Sequence, residues 1–89
     1  MKRFTFSILL AISIASAVHA DQFQLVDRAT GANASGAAVY LNDKLAGYTD
    51  NYGRIIISTS GTYIVSFMGE KRSVSLTVNG SQKLQVVSF

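Results

Sequence analysis

The chain has 89 residues, eight basic against five acidic side chains, net +3, and no cysteine, proline or tryptophan. That length leaves no room for a second domain, and the missing cysteines exclude stabilisation by disulfides. The basic excess is small and scattered, so it lacks the clustered Lys and Arg that nucleic acid or anionic lipid demands.

Residues 1–20 read as a secretory signal. Lys2 and Arg3 give a positive start, Phe4 to Val18 are largely apolar, and Val18-His19-Ala20 places small or medium side chains before the expected cut after Ala20. A retained anchor needs roughly 20 apolar residues. This stretch is shorter and carries Thr5, Ser7, Ser13 and Ser16. Cleavage leaves residues 21–89 as one domain with no membrane span, in which six basic residues face five acidic ones. The only histidine, His19, leaves with the signal, so Cys-His and Ser-His-Asp nucleophiles and ordinary zinc sites are all excluded from the mature chain. A short basic signal and the lack of bridges point to a bacterial exported protein, periplasmic or extracellular.

Beyond Asp21 the hydrophobic period is two, and turn residues arrive at all-β spacing. The first strand spans Phe23 to Asp27, and Arg28 to Gly36 is a polar loop. Ala38 to Leu41 forms the second strand. A three-residue loop, Asn42-Asp43-Lys44, pairs Leu41 with Leu45 and Val39 with Gly47 on one face, and the third strand runs from Leu45 to Thr49. Asp50 to Gly53 then turns the chain as a hairpin into Arg54–Thr59, Asp50 accepting backbone N–H groups and Gly53 supplying a positive φ. The same Asp-Asn pair suggests a calcium loop, but Tyr52 and Arg54 stand where further oxygen ligands are needed. No metal or cofactor is expected.

Thr62 to Met68 and Lys71 to Val78 are the fifth and sixth strands, with Gly69-Glu70 between them. Asn79-Gly80 carries the strongest hairpin signal, and the last strand, Lys83 to Phe89, has Leu84 and Val86 inward and Val87 and Phe89 outward. Seven short strands without a helix predict a seven-stranded antiparallel β-sandwich of two sheets, because a single sheet cannot cover its own apolar side. The predicted core is Phe23, Leu25, Val39, Leu41, Leu45, Ile55, Ile57, Tyr63, Val65, Phe67, Val74, Leu76, Val78, Leu84 and Val86.

Alternation leaves Tyr40, Tyr48, Ile56, Ile64, Met68, Val87 and Phe89 outward, a large apolar share for so small a surface and a candidate protein interface. Ile55-Ile56-Ile57 and Val86-Val87 are strongly β-forming with few charges nearby, so self-association by strand addition or sheet stacking is a second expectation. Tyr48, Tyr52 and Arg54 are the candidate contacts for a glycan, the alternative partner. Asp27, Asp43, Asp50 and Glu70 lie in or beside turns and form no acid–base constellation, so no enzyme is expected.

The runs Leu25-Val26-Asp27, Thr30-Gly31, Ser35-Gly36-Ala37-Ala38-Val39-Tyr40-Leu41, Thr49-Asp50-Asn51-Tyr52-Gly53-Arg54 and Ser60-Gly61-Thr62-Tyr63-Ile64-Val65 resemble the carboxypeptidase regulatory-like family of prealbumin-like β-sandwiches, and nearly as closely the PEGA domains. Such domains commonly carry proline in two loops where this chain has Asn33-Ala34 and Thr59-Ser60. The resemblance implies a non-catalytic module of envelope or extracellular proteins, used in folding support, adhesion or ligand contact. Hydrolases of related fold need histidines that the mature chain lacks.

Overall fold

The computed structural model describes residues 19–89 and shows seven strands. They are β1 (Asp21–Val26), β2 (Ala38–Leu41), β3 (Lys44–Tyr48), β4 (Arg54–Ile57), β5 (Gly61–Phe67), β6 (Glu70–Leu76) and β7 (Gln85–Ser88). The segment where the signal helix is expected, residues 1–18, lies outside the described residues. The strands form a three-stranded sheet in the order β4-β1-β7 and a four-stranded sheet in the order β3-β2-β5-β6.

Side chains from both sheets make the core. Phe23, Leu25, Ile55 and Ile57 from the smaller sheet meet Val39, Tyr63, Val65, Val74 and Leu76 from the larger one. Each large side chain so buried stabilises the fold by about 1.5–3 kcal/mol before chain entropy is subtracted. The buried Tyr63 hydroxyl donates to the carbonyl of Thr59, which answers its polar end.

Four expectations are corrected. First, the sandwich is not wholly antiparallel: β7 runs parallel to β1, with Phe23 opposite Gln85 and Leu25 opposite Val87. Asn79-Gly80 therefore makes no hairpin between the last two strands, and the chain crosses from one sheet to the other. Gly80 does adopt a positive φ of 73°. A local turn signal specifies a change of direction and leaves open which strand receives the chain.

Second, this register reverses the inward face of the last strand. Val87 packs against the core and Phe89 is buried, its ring edge-on to Phe67 at 6.4 Å between centroids. Leu84 and Val86, placed in the core from sequence, are exposed. The observed parity buries a phenylalanine, which removes more apolar area from water than a valine does.

Third, the β2–β3 connection has two residues rather than three. Asn42 and Asp43 both take positive φ, 53° and 66°, the signature of a primed turn, and Leu41 pairs with Lys44. A register shift between Val39 and Tyr40 restores the expected pairing of Val39 with Gly47. Leu45 consequently pairs with Tyr40 and leaves the core, 48% exposed.

The Asp50 turn is not a hairpin either, since β3 and β4 belong to different sheets. It arches over the edge of the sandwich. Asp50 Oδ1 accepts the N–H groups of Tyr52 (2.8 Å) and Arg54 (2.9 Å), which fixes the turn as expected of that carboxylate. Those bonds hold its carboxyl below the usual range, the Arg54 amide first.

Candidate interaction surface

Alternation along each strand decides which side chains reach solvent. On the four-stranded sheet Val39, Tyr63 and Val65 point inward, so Tyr40 and Ile64, paired directly across β2 and β5, point outward. Leu45 lies opposite Tyr40 on the other side. A contiguous apolar row, Leu45-Tyr40-Ile64, therefore runs over three neighbouring strands and ends at Ser73 of β6. The next row reads Tyr48, Ala38, Ser66, Lys71, with the Tyr48 ring 64% exposed. Tyr40, Asp43, Ile64 and Lys71 line a shallow hollow of about 500 Å³ on this face.

The outer face of the three-stranded sheet is built differently. Ile56 on β4 and Val86 on β7 are both exposed, but β1 lies between them and presents Gln22 and Gln24. Its apolar side chains are thus separated by a polar column. Arg54 and Tyr52 sit at one end of this face, the guanidinium carbon 5.4 Å from the ring centroid. Gln24 Nε2 donates to Asn33 Oδ1 (3.0 Å) and to the Tyr52 carbonyl (3.1 Å), tying the loop 33 region to that end.

The seven residues expected at an interface are therefore not one surface. Tyr40, Tyr48 and Ile64 share the outer face of the larger sheet, Ile56 lies on the opposite face, and Met68 occupies the β5–β6 turn. Val87 and Phe89, expected outward, face the core. Of the three candidate glycan contacts, Tyr52 and Arg54 come together and Tyr48 lies on the other sheet. Sequence reasoning missed Leu45, which joins the apolar row. The signal for it was the Asn42-Asp43 pair, whose tolerance of positive φ favours the two-residue turn.

Strand edges complete the picture. β6 carries Glu70, Lys71 and Arg72, and β3 begins at Lys44 and is interrupted by its register shift, so both are poor templates for strand addition. On β4, Leu25 N–H donates to Gly53 O at 2.8 Å, and antiparallel alternation then turns the backbone groups of Arg54 and Ile56 outward. Asp50 takes both groups of Arg54: its Oδ1 accepts the N–H and its own N–H reaches the carbonyl at 2.9 Å. Among the described residues, only Ile56 is left with outward groups that find no partner on that strand. β7, Gln85–Ser88, is uncharged and short.

A second hollow, about 420 Å³, opens where β3 and β4 diverge and is lined by Leu41, Leu45, Ile57 and Tyr63 among others. Among the described residues no three carboxylates or histidines gather as a metal site would require, and no helix is long and apolar enough to cross a membrane. No known protein family matches the chain, and neither does any individually characterised protein.

Proposed function

We propose that this is an exported, non-catalytic β-sandwich module of the prealbumin-like, carboxypeptidase regulatory-like kind, which acts by protein–protein association at the bacterial envelope or outside the cell. The observation that carries the reading is the row Leu45-Tyr40-Ile64, contiguous across three strands of one sheet. Apolar side chains exposed singly need no partner, whereas a row of them kept in water is costly unless something covers it. The association face is the outer side of the four-stranded sheet, and stacking on that face is favoured over strand addition because the free edges are charged, interrupted, capped or short.

The test is a substitution on that face. Ile64 is exposed, so Ile64→Lys should leave the circular dichroism and the thermal transition close to wild type while dispersing any assembly seen by sedimentation. An unaltered assembly would remove the face from consideration. A glycan-binding alternative is favoured by one feature, the exposed Tyr52 ring beside Arg54 and Gln24. Calorimetric titration of envelope glycans against wild type and Tyr52→Ala decides it, and silence from both proteins ends that alternative.

A further inference from the structure

We propose that the occupant of the four-stranded face is a second copy of this chain, related by a two-fold axis that sets Asp43 of each copy against Lys71 of the other. The proposal rests on the association reading above and adds the partner and its orientation.

A two-fold contact requires a patch that is its own complement. Asp43 lies in the turn beyond Leu41, and Lys71 lies opposite Ser66, in the row on the other side of Tyr40 and Ile64. The acid and the base thus flank the apolar pair from opposite ends of one hollow. An axis in the plane of contact, passing between Tyr40 and Ile64, exchanges the two positions and makes the same ion pair twice around an apolar centre. Among the described residues neither charge is engaged: the ion pairs there join Arg72 to Asp27 and to Glu70. The chain beyond Ala20 carries a net charge of only +1, so two copies approach with little mutual repulsion.

The experiment is charge reversal with rescue, on the full chain expressed with its own N-terminal segment and purified in the form the cell leaves it. Wild type should sediment as a dimer at sufficient concentration, more weakly at high salt. Asp43→Lys and Lys71→Asp should each weaken the dimer by about tenfold, since both reciprocal pairs become repulsive at once, and the combined variant should return to within about threefold of wild type. Asp43→Asn, which keeps a residue suited to the positive φ of that turn, should give a smaller loss and guards against a folding effect. A combined variant that is folded yet fails to recover overturns the pairing. So do single reversals that associate like wild type, and if Ile64→Lys still disperses the assembly, the association face stands without this arrangement. A wild-type chain that stays monomeric throughout overturns the second copy as occupant. Recovery of the combined variant together with loss in both single variants supports it.

Discussion

At Gly53 one hydrogen atom decides whether two segments can meet. Its φ is +80°, and a Cβ built there would lie 2.8 Å from the Leu25 carbonyl oxygen and 2.9 Å from the Ala34 nitrogen. Both neighbours are backbone, held by their own bonds: Ala34 N–H donates to Leu25 O, and Leu25 N–H to Gly53 O. Gly53→Ala should therefore cost about 2–4 kcal/mol, from the unfavourable dihedral and the overpacking together, read as a lower denaturant midpoint with unchanged slope. Thr49 works beside it. Its buried hydroxyl accepts from Ala37 N–H at 2.7 Å and donates to the Ala34 carbonyl, pinning the polar loop to the end of β3.

The charged residues at this scale set the response to acid. Asp27 is buried beside Arg72, whose Nη1 lies 2.7 Å from its Oδ1, and this hydrogen bond, followed by one from the Ala29 amide, holds the carboxyl below its ordinary range against the opposing effect of burial. Asp21 is held low chiefly by the Asn79 amide, which donates to Oδ2 at 2.8 Å. A carboxyl whose folded pKa is depressed contributes stability that is complete above its unfolded value, about 3.9, and is lost as pH falls through the folded value. The melting temperature should accordingly hold from neutrality to about pH 4 and fall below it. Asp27→Asn should melt lower at pH 7 and show a shallower acid decline. An equal decline in wild type and variant would mean that Asp27 is not one of the groups responsible.

At the scale of elements, the turns carry most of the information. The β5–β6 connection is a two-residue turn in which Met68 and Gly69 take φ of 55° and 79° and Phe67 pairs with Glu70. Methionine is poorly suited to that conformation, and its side chain is 82% exposed, so little packing compensates. Met68→Asn should raise stability by about 1 kcal/mol, as asparagine tolerates the left-handed region, and should leave association unchanged if the contact is centred on Tyr40 and Ile64.

The strands themselves were legible in the sequence because each buries one face. Phe23/Leu25, Ile55/Ile57, Tyr63/Val65 and Val74/Leu76 alternate inward as their spacing predicts. What could not be read was the destination of the chain after Asp50-Gly53 and after Asn79-Gly80. Both segments have the chemistry of a reversal, yet both carry the chain between sheets, because sheet membership depends on long-range pairing with β1. Phe89 and Leu45 were misplaced for the same reason: a bulge or a change of partner flips every side chain beyond it. The surface inherits those errors, so the outward set read from sequence mixes two faces, a turn and the core.

Considered whole, the molecule has two unlike sides. One sheet offers a continuous apolar row with an acid and a base around it, and the other alternates Ile56 and Val86 with glutamines and a stacked Tyr52–Arg54 pair. Ile56→Lys is therefore the matched control for Ile64→Lys. It places the same charge on the opposite face, should leave the sedimentation coefficient as in wild type, and separates a local contact from a general effect of added charge.

The parallel pairing of β1 with β7 also governs when the fold can exist. β1 is the central strand of its sheet, and one of its two neighbours comes from residues some 60 positions further along the chain. Its other neighbour, β4, begins about 30 positions away, so neither partner is local. A chain emerging from its N-terminus can form the β2–β3 and β5–β6 hairpins early, while the first strand waits for the last. Contacts so distant in sequence make folding slow relative to locally connected domains of this size. The finished sandwich is consequently a late event, complete only once residues at the far end of the chain are free to pair with β1.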